Sequence, residues 1–138
     1  DAAQTKAAIT GGWFRTGDLA TVDADGWLTV VGRIKDTIIR GGENIAAAEV
    51  EAVLEAHPDV VQAVAVGYPD ARFGERVCAF VVARRPFDLA ACRAWFEHEG
   101  VARFKTPERV VGVDELPLLS AGKADRAALR ARAAAGTD

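Results

Sequence analysis

Methionine is missing from all 138 residues, the first position included. The chain is therefore expected to be a piece of a larger protein. Cysteine and histidine are scarce, two of each. Neither histidine lies near a cysteine, so a zinc site has no basis and no metal ligands are expected. Cys78 and Cys92 sit in the apolar stretches "ERVCAFVVA" and "FDLAACRAWF", where buried free thiols are expected rather than a disulfide. Basic charge is not in excess: 17 Lys and Arg face 20 Asp and Glu, which argues against nucleic acid as a partner. No apolar run is long enough to span a membrane. The opening "DAAQTKAAIT" lacks the basic-then-apolar order of a secretory signal, so the cytoplasm is the expected compartment.

What is present suits one modest domain. Half the residues are hydrophobic and 27% are charged, enough apolar content for a core of its own. Residues 1–12 are small and polar and read as loop or the tail of an earlier element. "LATVD", "ADG" and "WLTVVGR" read as a hairpin turning at Asp25-Gly26, with alternating patterning on both sides. "DTIIR" is a short β-prone run that stops at Gly41-Gly42. "NIAAAEVEAVLEAHP" reads as a helix, with Asn44 as cap and Ile45, Val50, Val53 and Leu54 on one face. "VVQAVAVGYP" and "RVCAFVVA" read as strands about the turn "DARFGE"; the second is apolar enough to be central. "DLAACRAWFEHEG" is a second amphipathic helix ending at Gly100. A third strand lies in "PERVVGVDELP", and "ADRAALRARAA" is the last helix. The tail "AAAGTD" is expected to fray. The fold class expected is α+β, an α/β sandwich whose central sheet is flanked by helices. A β-hairpin lobe precedes it, joined through "GRIKD".

Three constellations carry possible chemistry. In "GWFRTGDL", Asp18 precedes a strand, and a carboxylate there can accept two hydrogen bonds from a vicinal diol such as ribose; a turn aspartate is the plainer reading. In "GRIKDTIIRGGENIAAAEVE", Gly41-Gly42 allow close approach of a backbone or an extended ligand, or form an ordinary strand-to-helix turn. Arg33, Lys35 and Asp36 there are a solvated linker or a hinge. In "LPLLSAGKADRAALR", Lys123 follows a glycine just before the last helix. Its ammonium can reach a phosphate or carboxylate as a point charge, or simply be solvated.

Taken in order, these stretches closely resemble the C-terminal part of the AMP-forming adenylate ligases. That superfamily includes acyl-CoA synthetases, adenylation domains of nonribosomal peptide synthetases, and luciferases. "RTGD" resembles its ribose-binding motif, "GRIKD" its hinge motif, "RGGENIAAAEVE" the loop-helix motif that follows, and "PLLSAGKADR" the motif of the catalytic lysine. The likeness runs from about residue 11 to 131. "GGENIAAAEVE" and "GVARFKTPERVVGVDELPL" look most like the stand-alone aryl-acid ligases of siderophore biosynthesis, which activate 2,3-dihydroxybenzoate or salicylate and load an aryl carrier protein. The likeness departs at Leu119, where the family usually has Thr; the spacing from Pro117 to Gly122-Lys123 is kept.

The resemblance implies a two-step reaction. A small carboxylic acid attacks the α-phosphate of Mg-ATP, giving an acyl-adenylate and pyrophosphate. A thiol of phosphopantetheine or CoA then displaces AMP. Asp18 and Arg33 would contact the ATP or AMP ribose, Lys123 would be catalytic, and Asp36 would be the hinge. Gly41, Gly42 and Glu43 would line the pantetheine passage. Residues 1–35 would end a large N-terminal domain that binds most of the ATP and Mg2+, and 36–138 would be the mobile domain. Its partners would be that large domain, the acid, and CoA or a carrier protein. Alone, the chain would be inactive in adenylation. The alternatives are an acyl-CoA synthetase using CoA, and a non-catalytic carrier-docking module.

Overall fold

The computed structural model describes residues 1–136. A short helix, α1 (Ala2–Ala8), opens the chain; of the two readings of this stretch, loop or the tail of an earlier element, the loop does not hold there. Its first turn is capped by Asp1, whose carboxylate accepts from the Ala3 N–H at 3.0 Å. Two small antiparallel pairs follow. β1 (Ile9–Thr10) pairs with β2 (Trp13–Phe14), and β3 (Asp18–Val22) with β4 (Leu28–Arg33). The second is the hairpin read from the sequence. Its turn is tied by Asp23, which accepts from the N–H groups of Asp25 and Trp27.

A 3-10 turn over Ile34–Asp36 leads into the main sheet. β5 (Thr37–Arg40), β6 (Glu43–Ala46), β7 (Val60–Asp70), β8 (Gly74–Ala83) and β9 (Arg109–Gly112) form five strands in the order β6-β5-β8-β7, with β9 also on β8. All pairs are antiparallel except β8 with β9. Three helices cover the sheet: α2 (Ala47–Glu55), α3 (Leu89–His98) and α4 (Arg126–Ala135).

The apolar runs of β7 and β8 divide by period two, as strands must. Ala63, Ala65, Val77, Ala79 and Val81 join one core with Val50 and Leu54 of α2 and Cys92 and Phe96 of α3. Val64, Val66, Cys78 and Phe80 join a second with Leu129 and Ala133 of α4. β8 is thus buried on both faces and central, as its composition suggested, and both cysteines are buried and outside any disulfide. β7 is an edge strand. Its ladder is finished by α2 carboxylates: Glu55 accepts from the Ala63 N–H at 3.0 Å and Glu51 from the Ala65 N–H at 2.9 Å. Such covering keeps an edge from pairing with another chain.

One reading needs correction here. Asn44 does not cap α2. It and Ile45 lie in β6, and the helix starts at Ala47 from Ala46, which makes no side-chain cap bond. The Asn44-Ile45 pair prolongs a hairpin that the glycines before it begin. At the other end, α4 runs through Ala135 and is closed by Gly136; the rest of the tail expected to fray, Thr137 and Asp138, lies outside the described residues.

Candidate functional site

Asp18 and Arg33 stand fifteen residues apart in sequence, but the β3–β4 register sets them directly opposite one another. Arg33 Nε lies 3.0 Å from Asp18 Oδ1. The turn before Asp18 is held by Thr16, whose hydroxyl accepts the Asp18 N–H at 3.2 Å. Gly17 accepts from the Ile34 N–H at 2.9 Å. The pair therefore sits at the open end of the hairpin, anchored by backbone. Both side chains reach solvent, so one acceptor and one cation are presented side by side.

Asp36 follows three residues after Arg33 and points the other way, onto α4. Arg130 Nη2 lies 3.0 Å from its Oδ1, and Arg126 Nε 3.6 Å from its Oδ2. Of the sequence candidates it is the one most enclosed by charge partners.

Gly41 and Gly42 form the two-residue turn of the β5–β6 hairpin, between the paired Arg40 and Glu43. Both have positive φ, +57° and +87°. That is the geometry of a type I′ turn, which asks for glycine at both places. So the pair is neither a strand-to-helix turn nor, in itself, evidence of a ligand. Gly41 is also closely approached. Its N–H donates to the Phe73 carbonyl at 2.8 Å, and a Cβ there would stand 3.2 Å from the Phe73 ring. Three guanidinium groups surround that ring, Arg40 at 4.2 Å and Arg72 and Arg76 at 5.2 Å from its centre. Cation–π contacts of this kind hold planar groups in place. Gly42 and Glu43 are exposed on the outer side of the turn.

Lys123 lies on a loop closed by backbone alone. The Leu119 N–H donates to the Lys123 carbonyl at 2.7 Å, Gly122 N–H to Leu119 O at 2.8 Å, and Asp125 N–H to Pro117 O at 2.7 Å. Leu118 and Ala124 form an isolated bridge. The Leu119 substitution leaves these bonds intact, because they need no side chain at that position. Asp125 then caps α4, accepting from Ala128 N–H at 3.0 Å. Lys123 is exposed, and its ammonium has no partner among the described residues. The structure thus joins Asp18 to Arg33, and Asp36 to α4. No hydrogen bond or ion pair among the described residues joins Lys123 to Asp18 or Arg33.

Sequence reasoning missed Arg40, Phe73, Glu108, Arg126 and Arg130. Arg40 pairs with Glu108, whose other oxygen accepts the Val77 N–H at 2.9 Å. These two help line a cavity of about 650 Å³ that also holds Arg93, Arg103 and Glu97. The signal for Arg126 and Arg130 was in the sequence: a spacing of four puts both on one face of a helix. Among the described residues no group of three or more His, Cys, Asp or Glu side chains is placed to hold a metal ion. Nor is any described helix long and apolar enough to cross a membrane.

Residues 49–123 match the AMP-binding enzyme C-terminal domain. The chain is 44% identical over 119 residues to enterobactin synthase component E of Escherichia coli (strain K12), covering 86% of this chain and 22% of that protein. It is 47% identical over 133 residues to 2-hydroxy-7-methoxy-5-methyl-1-naphthoate–CoA ligase of Streptomyces carzinostaticus, covering 95% of this chain and 24% of that one. The structure of o-succinylbenzoate CoA synthetase from Bacillus subtilis with its acyl-adenylate intermediate superposes with a TM-score of 0.85 at 37% identity, over 91% of this chain and 26% of the other. The chain therefore spans about a quarter of the length of each of these proteins.

Proposed function

The chain belongs to the family of AMP-binding enzyme C-terminal domains, and from that premise we propose that it is the lysine-bearing part of an ATP-dependent acid–thiol ligase. In the first half-reaction a carboxylate oxygen attacks the α-phosphorus of ATP, and pyrophosphate leaves with the electron pair of the broken P–O bond. Lys123 lies between the two anions, offsets their repulsion and stabilises the charge that builds on the transferring oxygens. In the second half-reaction a pantetheine thiolate attacks the acyl carbon and AMP leaves. The observation that carries this reading is Lys123 itself: exposed, without a partner among the described residues, and set on a backbone-closed loop ahead of α4.

The other candidates fit around it. Asp18 accepts from the ribose hydroxyls, and Arg33, already beside it at 3.0 Å, contacts the nucleotide near the ribose. Residues 1–35 belong with the large domain, which holds the rest of the ATP and its Mg2+. Residues 36–138 move about Asp36. Turning there withdraws Lys123 and brings Gly41, Gly42 and Glu43 to the passage for the thiol arm, a rigid-body switch between half-reactions. Without the large domain the chain is inactive in adenylation.

The acid is an aryl acid of the 2,3-dihydroxybenzoate or salicylate kind, and the acceptor a carrier protein's phosphopantetheine. The enterobactin synthase component among the relatives supports this. One observation favours CoA instead: beside the Arg40–Glu108 pair the cavity also carries Arg93 and Arg103 against Glu97, and those two guanidinium groups could take the phosphates of a nucleotide, which a carrier protein does not bring.

The test is ATP–pyrophosphate exchange by the whole enzyme, with aryl and fatty acids, for wild type and Lys123→Ala. Exchange driven by aryl acids, and lost in Lys123→Ala while thioester formation from supplied acyl-adenylate persists, supports the reading. Comparing CoA with a loaded carrier protein as acceptor decides between the two thiols. Normal exchange by Lys123→Ala removes the catalytic role and leaves a carrier-docking module.

A further inference from the structure

The ion pairs on Asp36 belong to a larger set of contacts that runs across the domain. Arg126 grips the Glu51 carboxylate with both terminal nitrogens, Nη1 at 2.7 Å and Nη2 at 2.9 Å. Its Nη1 also donates to the Ala65 carbonyl at 3.0 Å. Glu51 in turn accepts the Ala65 N–H. Arg126 and Glu51 thus satisfy both backbone groups of one residue on the edge strand β7, as a neighbouring strand would. From that anchored position Arg126 turns its Nε toward Asp36. Arg130, one turn later on α4, closes the clamp: Nη2 takes Asp36 Oδ1 and also the Lys35 carbonyl at 3.1 Å. The side chains of Asp36 and Glu51 are each only 14% exposed, so these contacts are less screened than an open surface pair. Burial works against the charge on Arg126, but the hydrogen bonds and charge of Glu51, with Asp36 behind them, outweigh it and raise its pKa.

The lysine loop hangs from the same helix. Lys123 stands three residues before Arg126, and the loop's last backbone bond, Asp125 to Pro117, lies next to the α4 cap. Little backbone is left between clamp and lysine to absorb a rotation.

We infer that Arg126 and Arg130 are positioning residues that clamp Asp36 to the helix carrying the Lys123 loop, so that the turn at the hinge and the entry of the lysine are one rigid motion. This rests on Asp36 being the hinge and Lys123 the adenylation lysine. Loosening the clamp leaves the fold in place but spreads the positions the ammonium reaches, and misplacement by about 1 Å costs roughly a hundredfold where alignment limits the rate. Thioester formation does not use Lys123 and feels the change far less.

The experiment uses the whole enzyme and two variants. Arg126→Lys keeps the charge but cannot hold Asp36, Glu51 and the Ala65 carbonyl together. Arg130→Gln, on a side chain 40% exposed, spares the core. ATP–pyrophosphate exchange is measured beside thioester formation from supplied acyl-adenylate, with Lys123→Ala as reference. The clamp predicts exchange lowered by about tenfold or more in Arg126→Lys, and by a smaller factor in Arg130→Gln. In both, thioester formation stays within about twofold of wild type, since its chemistry does not depend on the lysine's placement. Equal losses in both half-reactions, tracking a fall in Tm, show a merely structural role and overturn it. So does unchanged exchange in both variants while Lys123→Ala has lost it; then the clamp fails and the catalytic lysine stands. Normal exchange by Lys123→Ala overturns the catalytic reading and the clamp together.

Discussion

Gly41 shows how one residue can be legible before its physical cause is. The sequence presents Gly-Gly as room for a backbone or an extended ligand, or as a turn into a helix. The structure gives it a backbone cause, two positive φ angles in a two-residue hairpin turn, with Phe73 packed against the first. Gly41→Ala is therefore expected to cost about 1–2 kcal/mol for the left-handed backbone. The cost at Gly41 should exceed that of Gly42→Ala, where an added Cβ meets nothing within 4 Å. Urea unfolding midpoints of the two variants check this, and equal losses would mean that Phe73 yields freely. Cys92 was read correctly as a buried thiol, since its flanks are apolar in the sequence itself. Burial pushes its pKa up to about 12, against a smaller opposing effect of Arg93. A neutral thiol is not a nucleophile. Cys92 is expected to resist a disulfide reagent at pH 8 in the native chain and to react promptly in denaturant. Prompt native reaction would contradict the packing on α3.

Between residue and molecule, the elements differ in how far they could be read. β7, β8, α3 and α4 were legible because period-two or helical patterning coincides with burial on both sides of the sheet. β6 was not, because Asn44 and Ile45 precede an alanine-rich run that suits a helix equally well. The Asp18–Arg33 pair, not expected from the sequence, lies at the end of a hairpin that could be read, whereas the clamp on Asp36 reaches across ninety-four residues to Arg130, a distance local pattern cannot span. The turn between β7 and β8 carries its own electrostatics. Asp70 Oδ1 accepts from the N–H groups of Phe73 and Arg72, each at 2.9 Å, and Oδ2 faces Arg76 Nε at 2.6 Å. The Phe73 N–H, above all, holds the Asp70 carboxyl below its usual range; burial opposes, and Arg72 N–H and Arg76 add to the lowering. A folded pKa below the unfolded one gives stability that is present above the ordinary carboxylate range and lost as pH falls through the folded value. Wild type should therefore lose more stability than Asp70→Asn between pH 6 and pH 3, and the gap between them should narrow in acid. Denaturation midpoints across that range test it; a gap that stays constant would assign the difference to the turn's shape rather than to the charge.

At the scale of the whole molecule, burial is distributed unevenly. Among the described residues none before Ile38 is buried. Trp13 is 80% exposed, Trp27 76% and Phe14 69%, on elements whose backbone is bonded mainly to itself. β4 meets β6 and the start of α2 where Gly32 lies near Ala46 and Ala48, a contact of small residues outside the buried core. Segments with few buried apolar contacts open at low free-energy cost, while core strands open only with the whole fold. In the chain alone, the amides of β3 and β4 should therefore exchange with solvent at least about a hundredfold faster than those of β8, a difference of about 2.7 kcal/mol in opening free energy. The exposed tryptophans and phenylalanine need a covering surface, and the proposed division at residue 35 supplies one, the large domain. In the whole enzyme the same hairpin amides should then slow markedly, while those of β8, already protected, change little. Hairpin amides as slow as β8 in the chain alone would show that residues 1–35 are a stable part of this domain, and would move the proposed boundary away from Asp36. Fast exchange that persists in the whole enzyme would mean that the aromatic face is left uncovered there, and the large domain would have to be placed elsewhere.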